Sequence, residues 1–128
     1  MSNYLQLAKV DLKYANFGLT HSTDEIEINY AAYHVNQSIE KIIKAVIELN
    51  GGDLSERKYR THDISYLLSC LPKTVVVPSI IRDRTFEIMR WVSEPRYNVN
   101  FRQSKDDVIL IYNATLDWLQ SLLPPSIP

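Results

Sequence analysis

The sequence predicts an all-α chain, most simply a helical bundle, on three observations. Apolar residues recur at intervals of three and four through five stretches, the repeat of helices that each bury one side. Start and stop signals stand at the ends of those stretches. The single strand-like run, KTVVV at 73–77, is short, has no partner run and meets Pro78, so it reads as an extended connector.

Leu5, Ala8, Leu12, Ala15 and Leu19 predict a first helix over residues 3–19, ending near Gly18. Ser22 followed three residues later by Glu25 has the form of a capping box, with Asp24 and Glu25 favourable in the first turn. The second helix then runs to about Asn50, where NGGD stops it. With Ile39 placed at zero and about 100° added per residue, Ile28, Ala32, Val35, Ile42, Ile43 and Val46 fall within about 60° of it. His34, Gln37, Lys41, Lys44 and Glu48 gather within roughly 40° of the opposite side, and Tyr33 and Glu40 share one flank. That second face is either solvated or a binding surface.

Thr61 is placed to cap a short third helix, with Asp63 in its first turn, Pro72 at its end and Ile64, Leu67, Leu68 and Leu71 buried. A fourth helix is predicted over about 79–92, burying Ile81, Phe86, Ile88 and Trp91 and broken at Pro95. A fifth opens at Ser104, with Asp106 and Asp107 in its first turn, and carries Val108, Ile111, Leu119 and Leu122 to a terminating PPSIP tail. No repeat, linker or low-complexity segment interrupts the chain, which reads as one domain over residues 1–128.

Composition narrows the function. Fourteen Lys plus Arg against fifteen Asp plus Glu give a net charge of −1, so no global basic field recruits a polyanion and any such site must be a local cluster. The lone Cys70, within LLSCLP, is expected to be a buried structural thiol in a reducing compartment. No signal peptide and no apolar run of bilayer-spanning length is visible, which gives a cytoplasmic expectation with no membrane partner. One Cys and three scattered His offer no metal-ligand spacing, and no phosphate-binding Gly-rich loop or nucleophile elbow is present; no cofactor is expected.

Three segments in order, AAYHVNQSIEKIIKAVIELNGG, THDISYLLSCL and EPRYNVNF, resemble the HEPN domain (higher eukaryotes and prokaryotes nucleotide-binding). The matching positions are Gln37, Glu40, Lys41, Lys44 and Ala45, then Thr61, His62 and Asp63, then Arg96 and Tyr97. The resemblance covers roughly residues 3–122 and implies an up-and-down four-helix bundle with a short additional helix, often paired as a homodimer. It also implies two branches: RNases, often toxins, with an Arg followed four to six residues later by His late in the bundle, and nucleotide-binding or accessory domains, some beside a small nucleotidyltransferase. This chain departs from the RNase branch, because Arg82, Arg84 and Arg90 of the fourth helix have no His after them. Ile64 also stands where Leu is common, and Asn98 where Pro follows the Arg-Tyr pair.

The reading that follows is a binding domain for a nucleotide or RNA-related ligand, as accessory partner of a small nucleotidyltransferase in a toxin–antitoxin-like system. Its site joins Gln37, Lys41, Lys44, His62, Asp63, Arg96 and Tyr97. Lys41 and Lys44 would meet phosphate as point charges and Gln37 a base or ribose; their alternative is a solvated, ion-paired helix face. Glu40 reads as an architectural bridge to Lys44 or to a neighbouring Arg. The basic loop of Arg57, Lys58 and Arg60 around Tyr59 could add phosphate and stacking contacts. Two rivals stand beside this reading. One is a metal-independent RNase using Arg57 and His62 across a dimer, with His as base on the ribose 2′-hydroxyl. The other is a structural dimer or protein-interaction bundle with an exposed apolar patch and no ligand.

Overall fold

The longest helix becomes the axis of the bundle because nearly every side of its second half is apolar or paired. The computed structural model describes residues 3–98 and 100–124, leaving out the side chains of Arg96 and Tyr97. Its helices are α1 (Tyr4–His21), α2 (Glu25–Leu49), α3 (Ile64–Ser69), α4 (Ser79–Asp83), α5 (Thr85–Tyr97) and α6 (Lys105–Leu122), with a single 3-10 turn at Arg57–Tyr59. No strand occurs among the described residues, and 73–77 is an irregular connector. The bundle is all-α: α1, α2, the α4–α5 pair and α6 form its four long members, and α3 is the short addition.

The expected core stripe of α2 is buried throughout, Ile39, Ile42 and Ile43 completely, and it meets Leu12 and Leu19 of α1, Ile64 and Leu67 of α3, Ile88 and Trp91 of α5, and Val108 and Ile111 of α6. Phe86 departs from expectation and is 78% exposed, since Ile81 and Ile88 already fill the inward side of that segment.

Both Asp residues that precede a helix take the cap in place of the hydroxyl residue two positions earlier. Asp24 accepts from the Ile26 and Glu27 amides at 2.7 and 3.3 Å, while the Ser22 hydroxyl accepts from the Asp24 amide. Asp63 accepts from the Tyr66 amide at 3.0 Å, and Thr61 from the Asp63 amide at 3.1 Å. A carboxylate is the stronger acceptor, and the hydroxyl is left to turn the chain toward it. Ser104 caps α6 as expected, accepting from Asp107.

Gly18 does not end α1, which continues to His21. A Cβ there would lie 3.3 Å from the Ala31 Cβ, so the glycine serves the close approach of α1 and α2. The predicted fourth helix divides at Arg84 because the Thr85 hydroxyl donates to the carbonyls of Ile81 and Arg82 and competes with the backbone ladder. It does not end at Pro95: α5 carries that proline in its last turn and stops at Tyr97. Cys70 is half-buried, and the last four residues of the expected terminating tail, 125–128, lie outside the described residues.

At Asn50 the helix stop is built as the sequence anticipates. Gly51 has φ +91°, its amide bonds the Glu48 carbonyl, and the Gly52 amide bonds the Ile47 carbonyl, a Schellman closure. A Cβ on Gly52 would fall 2.4 Å from Ile47 Cγ2 and 3.0 Å from the Ile47 carbonyl oxygen. Gly52→Ala should therefore lower stability by about 1–2 kcal/mol in urea unfolding; an unchanged midpoint would show that this turn has room to relax.

Candidate functional site

The polar face of α2 does not stay whole once its neighbours pack. On the α1 side, buried Asp11 hydrogen-bonds Lys41 and sits 3.1 Å from His34 Nδ1. His34 is then wedged between the rings of Tyr14 and Tyr33. On the other side, Glu40 is 4% exposed and bridges two basic side chains, with Lys44 Nζ at 3.4 Å and His62 Nδ1 at 3.0 Å. The two lysines, expected to act together, are thus engaged by separate carboxylates from opposite flanks of one helix. A carboxylate as buried as Glu40 needs such partners to offset its lost hydration.

His62 is the consequence of this arrangement. Its side chain is 84% exposed, yet Nδ1 is fixed against both oxygens of Glu40, at 3.0 and 3.1 Å. The contact orients the ring, and Nε2 has no partner among the described residues. His62 stands at a cleft of about 380 Å³ between α2 and α5, lined also by Tyr33, Asn36, Gln37, Met89 and Ser93. Buried Asn36 donates to the Ile88 carbonyl at 2.8 Å and accepts from Gln37 Nε2 at 3.1 Å, which leaves the Gln37 carbonyl oxygen for the cleft.

Gln37 and His62 are therefore brought together as the sequence expects. Lys44 lies behind them, joined through Glu40; Asp63 is occupied in capping α3; and Lys41 faces α1. Arg96 and Tyr97 form the last residues of α5, and their side chains lie outside the described residues. Arg57 is exposed in the 3-10 turn, and no hydrogen bond joins it to His62 among the described residues. In the same turn Lys58 is held above its usual pKa by Glu56, 3.5 Å away, and lies over the Tyr59 ring. The hydrogen bond with Cys70 raises the Tyr66 hydroxyl in the same direction.

A second cleft, of about 390 Å³, adjoins the first along Tyr33 and Val92. Ile26, Asn29, Tyr30, Trp91, Pro95, Asn98 and Arg102 complete its lining. Sequence reasoning missed it. Tyr30 and Tyr33, one helical turn apart beside Asn29, were the available signal, but the closing wall comes from α5 and the connector after it. That connector is tied down by Asn29, which donates to the Phe101 carbonyl and accepts from Gln103, and by the ion pair of Arg102 with Glu25.

Among the described residues no group of three or more His, Cys, Asp and Glu is placed to hold a metal ion, and no helix is long and apolar enough to cross a membrane. A helical bundle with an oriented histidine at an amide-lined cleft is the class of molecule that these features define. The HEPN domain family model matches residues 1–116, and the chain belongs to that family. No curated protein and no solved structure matches it.

Proposed function

We propose that the chain binds a nucleotide or RNA-related ligand in the cleft between α2 and α5, with Gln37 and His62 as its contacts. The observation that supports this most is the fixed orientation of an exposed imidazole at the cleft: Glu40 holds one ring nitrogen, and the other has no partner among the described residues. Such a nitrogen is pre-aimed at a phosphate oxygen or a ribose hydroxyl. The Gln37 amide beside it supplies a matching polar contact. Lys44 and Asp63 act on this site indirectly, the first through Glu40 and the second by starting α3 immediately after His62. Arg96 and Tyr97 belong to it as the end of the helix that forms the far wall. Lys41, drawn to Asp11, is left outside it. HEPN membership supports a role as accessory partner of a small nucleotidyltransferase in a toxin–antitoxin-like system.

A second reading has its own observation. Leu7, Val10, Tyr14 and Phe17, spaced by three and four along α1, are all between 41% and 65% exposed, a stripe suited to a second copy of the chain.

A thermal-shift screen with ATP, GTP, AMP and a short RNA oligonucleotide tests the first reading. A ligand at 100 times its Kd should add about 2.7 kcal/mol of stability. Gln37→Ala and His62→Ala should each weaken binding about tenfold; each also strands a buried acceptor, on Asn36 or Glu40, and lowers the unliganded melting temperature, so each variant's shift is read against its own unliganded form. Equal shifts in parent and both variants would refute the site.

A further inference from the structure

We infer that the cleft beneath Tyr30 and Tyr33 receives the base of that nucleotide, held edge-on by the Trp91 indole; this rests on the binding reading above. Trp91 is 1% exposed, and its Nε1–H has no acceptor among the described residues. A buried donor without an acceptor is unfavourable, and almost every such group in a folded chain has a partner. Trp91 lines the cleft, so an occupant carrying an acceptor on its edge would supply what the chain does not.

The remaining walls specify the shape of that occupant. Ile26, Val92 and Pro95 are apolar, and Tyr30 leaves 67% of its surface in water at the edge of a cavity large enough for a small ring system. A flat ring with apolar faces and a polar edge covers Tyr30 and meets the indole together; an alkyl chain fills the space but leaves the N–H unsatisfied. Asn29 is held in place by its bonds to Phe101 and Gln103, which use one of its two N–H donors and one lone pair of its oxygen. A single donor meeting an edge acceptor is a requirement that each common base fulfils, so any choice between bases falls to Asn29 and to Asn98, which also lines the cleft and whose Oδ1 already accepts from the Asn100 amide. Because the two clefts share Tyr33 and Val92, a base in this one leaves its ribose and phosphate at Gln37 and His62.

The chain has two tryptophans, and Trp118 lines neither cleft. The test is a titration of the Trp118→Phe variant, followed by Trp91 emission, with AMP, adenosine and ribose 5-phosphate. The parent chain, with Trp118 as constant background, gives the same readout should the variant fold poorly. AMP and adenosine should both change the emission and ribose 5-phosphate should not. Tyr30→Ala should weaken both about tenfold. AMP that binds in equilibrium dialysis with Trp91 silent and Tyr30→Ala unaffected overturns this inference and leaves the Gln37–His62 reading standing. A response to adenosine that AMP does not improve upon overturns the phosphate assignment and keeps the base site. Binding by neither overturns both.

Discussion

Glu40→Ala is expected to destabilise the chain by about 3–5 kcal/mol, the largest loss available from a single polar side chain in this fold. The carboxylate is almost completely enclosed and lies within 3.4 Å of Lys44 Nζ, itself only 9% exposed. Truncation leaves the ammonium in that enclosure without the charge that offsets its desolvation. The loss should therefore greatly exceed the few tenths of a kcal/mol of an exposed pair with the same i,i+4 spacing. Urea unfolding measures it directly. Replacing both members, Glu40→Met with Lys44→Met, should recover most of the stability, since neither charge is then stranded. The double variant should still bind ligand poorly, because His62 loses the group that orients it. A loss below about 1 kcal/mol in Glu40→Ala would mean that water reaches Lys44 freely.

The second large effect concerns the seam between α1 and α2. Gly18 of α1 meets Ala31 of α2 and Ala8 meets Ser38, while Ala31, Ser38 and Ala45 stand seven residues apart on one side of α2. The Ser38 hydroxyl donates across the seam to the Ala8 carbonyl at 2.9 Å, a contact that requires backbones to run close. Ala31→Leu adds three carbons at a position 2% exposed and opposite a glycine, so the helices must separate. About 3 kcal/mol of destabilisation is expected, the upper end for overpacking. Ser38→Ala is the milder comparison, removing one hydrogen bond while keeping the spacing. A loss under 1 kcal/mol in Ala31→Leu would show that the seam opens without disturbing the rest of the bundle.

What the sequence made legible follows from which forces act along one helix. The core stripe of α2 and the buried sides of α1, α3 and α6 were readable because burial follows a single helical period. The NGGD stop was readable because its geometry is set by adjacent residues. The fate of the polar face was not. Lys41 and Lys44 sit close together on a helical projection, and only the placement of Asp11 from α1 and of Glu40 toward His62 separates them. Nothing within α2 tells which neighbour will cover which flank. Of the candidate site, Gln37 with His62 was legible through the family pattern. The Trp91 cleft was not, since its walls are joined only by folding across some sixty residues of chain.

The close α1–α2 seam also bears on the order in which the molecule assembles. Only residues 22–24 separate the two helices, and they share the most extensive helix–helix contact of the bundle. Contacts at such short loop lengths have little closure entropy to overcome and are favoured early in folding. The Glu40–His62 contact spans 22 residues, and the walls of the Trp91 cleft lie farther apart still. The hairpin is thus the natural nucleus, and both clefts take shape only when α5 docks on it. A ligand that fills them would slow the undocking of α5 while leaving formation of the hairpin untouched, so its stabilisation would emerge in the unfolding rate and not in the folding rate.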